Sequence, residues 1–125
     1  MKVKAEAKYQ RVSERKVKRV LDLVRGKKAQ EALTILKFLP HSAAKLAENA
    51  LRSAVANAKH NYKMEEESLI VSECYVGRAT PLKRIRPRAR GRAFSRIRRF
   101  SHITMFVESP STELGASKRG KSEAK

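Results

Sequence analysis

Apolar and polar positions alternate along Lys2–Tyr9, where Val3, Ala5 and Ala7 are set against Lys4, Glu6 and Lys8. A period of two marks a strand with one buried face, so the chain is predicted to open on a strand. The period then changes. Val17, Val20, Leu21 and Val24 fall at i, i+3, i+4 and i+7, which is one face of a helix. That helix is predicted to run from a Ser13 cap to Arg25, with Gly26 as its stop. A shorter helix is predicted over Ala29–Phe38, with Ala32, Leu33, Leu36 and Leu39 turned inward and Pro40 ending it. A third, capped by Ser42 and reaching Asn61, carries the stripe Ala43, Ala47, Ala50, Leu51, Ala54, Val55 and Ala58. Small residues allow close approach, so this helix is predicted to lie centrally on a sheet. Asn57, His60 and Asn61 at its end either meet RNA or simply close the helix. Lys63–Ser68, with Glu65, Glu66 and Glu67 in a row, reads as a solvated turn. LIVSECYV (Leu69–Val76) and HITMFVE (His102–Glu108) are apolar and β-branched, and are predicted strands.

Between these two strands lies GRATPLKRIRPRARGRAFSRIRRFS, Gly77–Ser101. From Cys74 to Val107 there are ten Lys/Arg residues and no Asp or Glu. Arg84, Arg86, Arg88, Arg90 and Arg92 recur every second residue. In an extended chain they would share one face, with Ile85, Pro87, Ala89, Gly91 and Ala93 opposite. The simplest connection is a long antiparallel hairpin in which both core strands continue outward. Its midpoint falls at Arg88 and Ala89, and nearby Gly91 can take the positive φ of a tight turn. At about 3.3 Å per residue its tip would stand roughly 40 Å from the core. Pro81 and Pro87 cannot donate to a ladder, so irregular pairing is expected. Neighbouring charges in such a row, about 7 Å apart, repel by about 0.6 kcal/mol per pair in water. No carboxylate in the arm offsets this; a polyanion would. The alternative is a solvated basic loop, although few such loops run this long without an acid and in strict alternation.

Charge sharpens the picture. The 125 residues carry a formal +18 and a pI near 10.7, which points to a nucleic-acid partner. Membrane-binding basic helices present large apolar residues on one face, whereas this chain has no Trp and its arm has no helical period. A second basic surface is predicted from Arg15, Lys16, Lys18 and Arg19 on the outer face of the first helix. Basic residues in a first turn oppose the helix dipole, and Glu14 offsets them only in part. A phosphate at that N-terminus would make sense of them, the alternative being an ordinary solvated helix face.

Catalytic chemistry is missing. Cys74 is the only cysteine, which excludes an internal disulfide and a Cys-rich zinc site and fits a reducing compartment. It lies in an apolar strand, where an inert thiol is expected. His41, His60 and His102 have no partners at metal-ligand spacing, and the five glycines form no phosphate loop. The three glutamates Glu65–Glu67 lack an oxygen cage. No catalytic residue, metal or cofactor is therefore expected. MKVKAEAKYQ has no apolar signal core, and a cytoplasmic protein is expected. The organisation reads as a single domain over 1–108, with the arm at 77–101, and a disordered tail over 109–125 (SPSTELGASKRGKSEAK).

Four stretches together resemble a known family: SERKVKRVLDLVRGK (Ser13–Lys27), NAKHN (Asn57–Asn61), KRIRPRARGRA (Lys83–Ala93) and SHIT (Ser101–Thr104). They are similar to the bacterial-type ribosomal protein L twenty-two family of the large subunit, from residue 4 to about 108. The resemblance implies an α+β fold of three helices packed on a small antiparallel three-stranded sheet, with a long extended hairpin. It implies binding to large-subunit rRNA, contacts with neighbouring large-subunit proteins, a part in early subunit assembly, and no membrane. It also implies that the hairpin tip, here Arg88, Ala89, Arg90, Gly91 and Arg92, lines the exit tunnel where the nascent peptide passes. The candidate rRNA-binding set is Arg11, Ser13, Arg15, Lys16, Lys18, Arg19, Arg78, Lys83, Arg84, Arg86, Arg88, Arg90, Arg92, Arg96, Arg98, Arg99 and His102. Glu14 stands where the family often has Pro, and Phe100 where a polar residue is more usual. The alternative reading is an architectural DNA-binding protein with a basic β-arm. Such arms usually act from a dimer, and no heptad or apolar strip here predicts one.

Overall fold

Val3 and Ala5 turn inward from β1 (Lys2–Gln10), and the alternation that predicted this strand is the alternation of its burial. The structure is a computed structural model that describes residues 1–110, so the predicted tail lies outside the described residues from 111 onward. After β1 come α1 (Glu14–Val24), α2 (Ala29–Phe38) and α3 (Ser42–Tyr62). Then follow β2 (Ile70–Arg78), β3 (Leu82–Pro87), β4 (Ala93–Arg98) and β5 (Ser101–Glu108). Strands β1, β5 and β2 form an antiparallel sheet with β5 in the centre, and β3 and β4 form a separate hairpin. The fold is α+β: three helices packed on a three-stranded antiparallel sheet, with a projecting two-stranded arm.

The core forms where the helical stripes meet one face of the sheet. Ser101, Ile103, Met105 and Val107 of β5 alternate into it. Val17, Val20, Leu21 and Val24 of α1 meet them, with every residue predicted for the α3 stripe, and Ala44 besides. The alanines let α3 lie close against β1 and β5. Burying a side chain such as Leu51 is worth about 1.5–3 kcal/mol. α2 packs chiefly on α3 rather than on the sheet. Its Ala32 and Leu36 are therefore buried, whereas Leu33 and Leu39 are only half-buried against the core.

The helix ends differ from expectation. Ser13 occupies the N-cap of α1 in extended conformation, but its side chain makes no capping hydrogen bond. The N-cap of α3 is His41, and Ser42 is already helical. The His41 carbonyl accepts from the Ala44 amide at 3.1 Å, which closes the first turn one residue early. Gly26, at φ +81°, follows the end of α1 as expected. Its amide donates to Val71 O, and Ala29 N donates to Leu69 O, both at 2.9 Å, so the α1–α2 connection is stitched to the start of β2. The α3 end is closed by Lys63 in the left-handed region. Asn57 Nδ2 donates to the Lys4 carbonyl at 3.3 Å and ties this helix to β1.

The arm is not a straight continuation of β2 and β5. β2 stops at Arg78 and β5 starts at Ser101. Across the gap one backbone bond links the chains, Ala79 N to Phe100 O at 3.1 Å. Pro81 sits in this break, where its missing donor costs nothing to a ladder. Beyond it β3 and β4 pair regularly from Leu82↔Arg98 to Pro87↔Ala93. Pro87 closes the ladder instead of interrupting it, against expectation.

Candidate nucleic-acid interface

The turn decides which side chains share a face. The apex is Ala89–Gly91, centred on Arg90 and not between Arg88 and Ala89. Arg90 (φ 61°) and Gly91 (φ 70°) are both left-handed. Arg88 N donates to Arg92 O at 2.7 Å, which sets these two residues opposite each other. The register therefore places even-numbered residues opposite even-numbered ones throughout. Directly paired residues point to the same side of a ribbon. One face accordingly carries Arg84, Arg86, Arg96 and Arg98 with Leu82 and Phe94, and Arg88 and Arg92 extend it to the tip. The predicted straight row of five is thus folded back on itself. Arg84, Arg86 and Arg88 run out, Arg92 returns beside Arg88, and Arg90 stands at the apex. The other face carries Lys83, Ile85, Pro87, Ala93, Ser95 and Ile97.

All residues of β3 and β4 are exposed. Arg84 and Arg96 are direct cross-strand partners, a like-charge pairing that weakens a ribbon on its own. Arg88 lies over the Phe94 ring at 5.8 Å, a cation–π contact. Among the described residues, no carboxylate pairs with any cation from Lys83 to Arg99. An interface of this kind has unspent charge along its whole length.

The globular candidates divide into groups. Arg15 and Lys18 line a cleft with Arg25, Cys74 and Tyr75. Lys16 and Arg19 line another with Pro40, His41 and Ser42. Helical geometry splits the predicted cluster in this way, since neighbours in sequence turn about 100° apart. A third cleft, of about 320 Å³, sits at the corner between arm and body. There the structure brings together Arg11, Ser13, Lys16, Arg98 and Arg99, with Ile97 beside them.

Two candidates have structural partners of their own. Arg78 Nε donates to Glu14 Oε1 at 2.6 Å, so its charge is matched at the arm base. His102 Nδ1 accepts from the Tyr9 amide at 3.0 Å, and the two rings meet edge to face at 4.8 Å. It holds the irregular end of β1, where Tyr9 has φ 56°.

Arg25 was missed by sequence reasoning. Its guanidinium donates to Asp22 Oδ1 at 2.7 Å and to the Cys74 carbonyl at 2.9 Å. Asp22 lies only three residues back in sequence, but the contact with Cys74 depends on strand–helix packing and no local pattern signals it. Cys74 itself is buried, with Sγ 3.6 Å from the Leu21 carbonyl. Burial pushes its thiol pKa up, against the pull of the nearby Arg25 guanidinium.

Among the described residues there is no cluster of three or more His, Cys, Asp or Glu that could hold a metal ion. No helix among them is long and apolar enough to cross a membrane.

Known proteins share this chain's sequence along most of its length. A family profile described as Ribosomal protein L22p/L17e matches residues 5–108. The chain is 53% identical over 104 residues to the large ribosomal subunit protein uL22 of Desulfitobacterium hafniense (strain Y51), covering 83% of this chain and 91% of that protein. It is 51% identical over 108 residues to the protein of the same name from Clostridium acetobutylicum, covering 86% and 97%. With that of Lactobacillus delbrueckii subsp. bulgaricus (strain ATCC BAA-365 / Lb-18) it shares 51% identity over 104 residues, covering 83% and 89%. The arm, the helices and the sheet all fall within the matched span, and the chain belongs to the ribosomal protein L22p/L17e family.

Proposed function

We propose that this chain is a structural constituent of the large ribosomal subunit and binds its rRNA through the arm and the basic surface of α1. The observation that carries this reading is the exposed, acid-free ribbon with six arginines on one face. Such a ribbon offers guanidinium forks to phosphates along its length. Membership in a ribosomal protein family makes the chain a structural protein and not an enzyme. Residues 1–108 act as one RNA-binding domain, with Arg84, Arg86, Arg88, Arg92, Arg96 and Arg98 as the main phosphate contacts. Arg11, Lys16 and Arg99 add to them at the arm base. The tip from Arg88 to Arg92 lines the exit tunnel and meets the nascent peptide in passing. The chain enters during early assembly, because a thin arm is most easily enclosed while rRNA is still folding around it. Arg78 and His102 contribute less, since Glu14 and Tyr9 already engage them.

Competition binding separates this reading from a DNA-binding one. Transcribed large-subunit rRNA should displace the protein from a labelled rRNA fragment far better than duplex DNA of equal length at the same salt. Equal competition by the duplex would favour an architectural DNA-binding role.

A further inference from the structure

The odd-numbered face of the arm has no place in a purely electrostatic account. It presents Ile85, Pro87, Ala93 and Ile97, and Ile85 is 73% and Ile97 47% exposed. We infer that this face, with the corner cleft it runs into, is a track for the riboses and bases of an unpaired rRNA segment, while the arginine face takes phosphates. The inference rests on the proposed rRNA-binding function and assigns the two faces of the arm different parts of the same partner.

Three observations choose RNA as the occupant. First, Ile97 belongs both to the apolar face and to the cleft lined by Arg11, Lys16, Arg98 and Arg99, so the apolar track ends among four cations. A strand of RNA along it would leave sugars and bases on Ile85 and Ile97 and bring a phosphate to the cleft. Second, Lys83 lies on the same face directly opposite Ile97, so a further cation flanks the base end of the track. Third, the ribbon is a single layer, two strands wide. Any occupant of the odd face therefore lies within about one Debye length, ~8–10 Å, of the arginines on the other side. That field favours a polyanion, and unpaired RNA is a polyanion with apolar surfaces to offer. A neutral protein segment is the competing occupant.

Salt titration distinguishes the faces, because phosphate contacts set the slope of log K against log[salt] and apolar contacts do not. The full chain is titrated with transcribed large-subunit rRNA in three double variants. Arg84→Ser with Arg96→Ser should make the slope shallower by about 1.4–1.8. Ile85→Ser with Ile97→Ser should weaken binding about ten- to a hundredfold at every salt concentration and leave the slope unchanged. Ile85→Leu with Ile97→Leu, which keeps the apolar area, should bind within about threefold of the parent. All four positions are exposed and outside the core, so thermal melting of each variant should match the parent. Unchanged binding by the serine pair at Ile85 and Ile97 would overturn the inference and give the face to a protein or to solvent. A slope change in that pair, or equal loss in the leucine pair, would also overturn it, since the arm's shape and not its apolar contact would then matter. No slope change on losing Arg84 and Arg96 would instead strike at the proposed phosphate contacts, and leaves the odd-face result to stand or fall separately.

Discussion

Raising salt from about 50 to about 200 mM should weaken rRNA binding about 250- to 1,000-fold. Six phosphate contacts, one for each arginine on the even face, give a slope of about −4 to −5 in log K against log[salt]. The physical source is counterion release, and the arm is built to maximise it. Its arginines from Arg84 to Arg99 are exposed, and among the described residues none of these has a carboxylate partner. The Arg84–Arg96 pairing is unfavourable in the free chain and becomes favourable when a phosphate lies between or above the two. A binding titration at four or five salt concentrations measures the slope. A value shallower than about −2 would mean that the arm is not a main phosphate contact.

Shortening the chain should separate folding from binding. If Arg78 is joined to Ser101 by an Asn-Gly turn, the core loses no buried apolar residue, because its members all lie from Val3 to Cys74 and from Ile103 to Val107. Arg78 and Ser101 are already paired, so a two-residue turn can close that hairpin. The Glu14–Arg78 ion pair is kept, and a single backbone bond, from Ala79 to Phe100, is lost. Cooperative melting should persist with a midpoint close to that of the parent. Affinity for rRNA at low salt should fall about a thousandfold, with most of the salt slope gone. Loss of cooperative melting would show that the arm takes part in the core.

Much of this architecture is legible in the chain because period and burial agree. The α1 stripe from Val17 to Val24 and the alternation from Val3 to Ala7 each point to one buried face. α2 falls on its predicted residues because Pro40 allows no other end. What failed to show depended on tertiary context. His41, and not Ser42, caps α3, since the backbone there closes a tighter first turn. The stitching of Gly26 and Ala29 to β2 needs two segments far apart in sequence. The arm is the most instructive case. A turn centred between Arg88 and Ala89 would pair even residues with odd ones and scatter the arginines over both faces. Centring it on Arg90 gathers six of them on one face and leaves the isoleucines on the other. A one-residue slip flips every side chain on one strand, and short-range propensity alone does not fix that choice. Charge alone likewise could not show that Arg78 and His102 are engaged by Glu14 and Tyr9, because those partners come from elements distant in sequence.

Sedimentation with the ribosome tests the central claim most directly. Tagged full-length and arm-shortened chains, expressed in a cell carrying the native large subunit, are followed through a sucrose gradient at moderate salt. The account predicts that the full-length chain travels with the large subunit and with whole ribosomes, and that the shortened chain is largely lost from both. A full-length chain that stays at the top of the gradient, or a shortened chain that enters the subunit equally well, would contradict it.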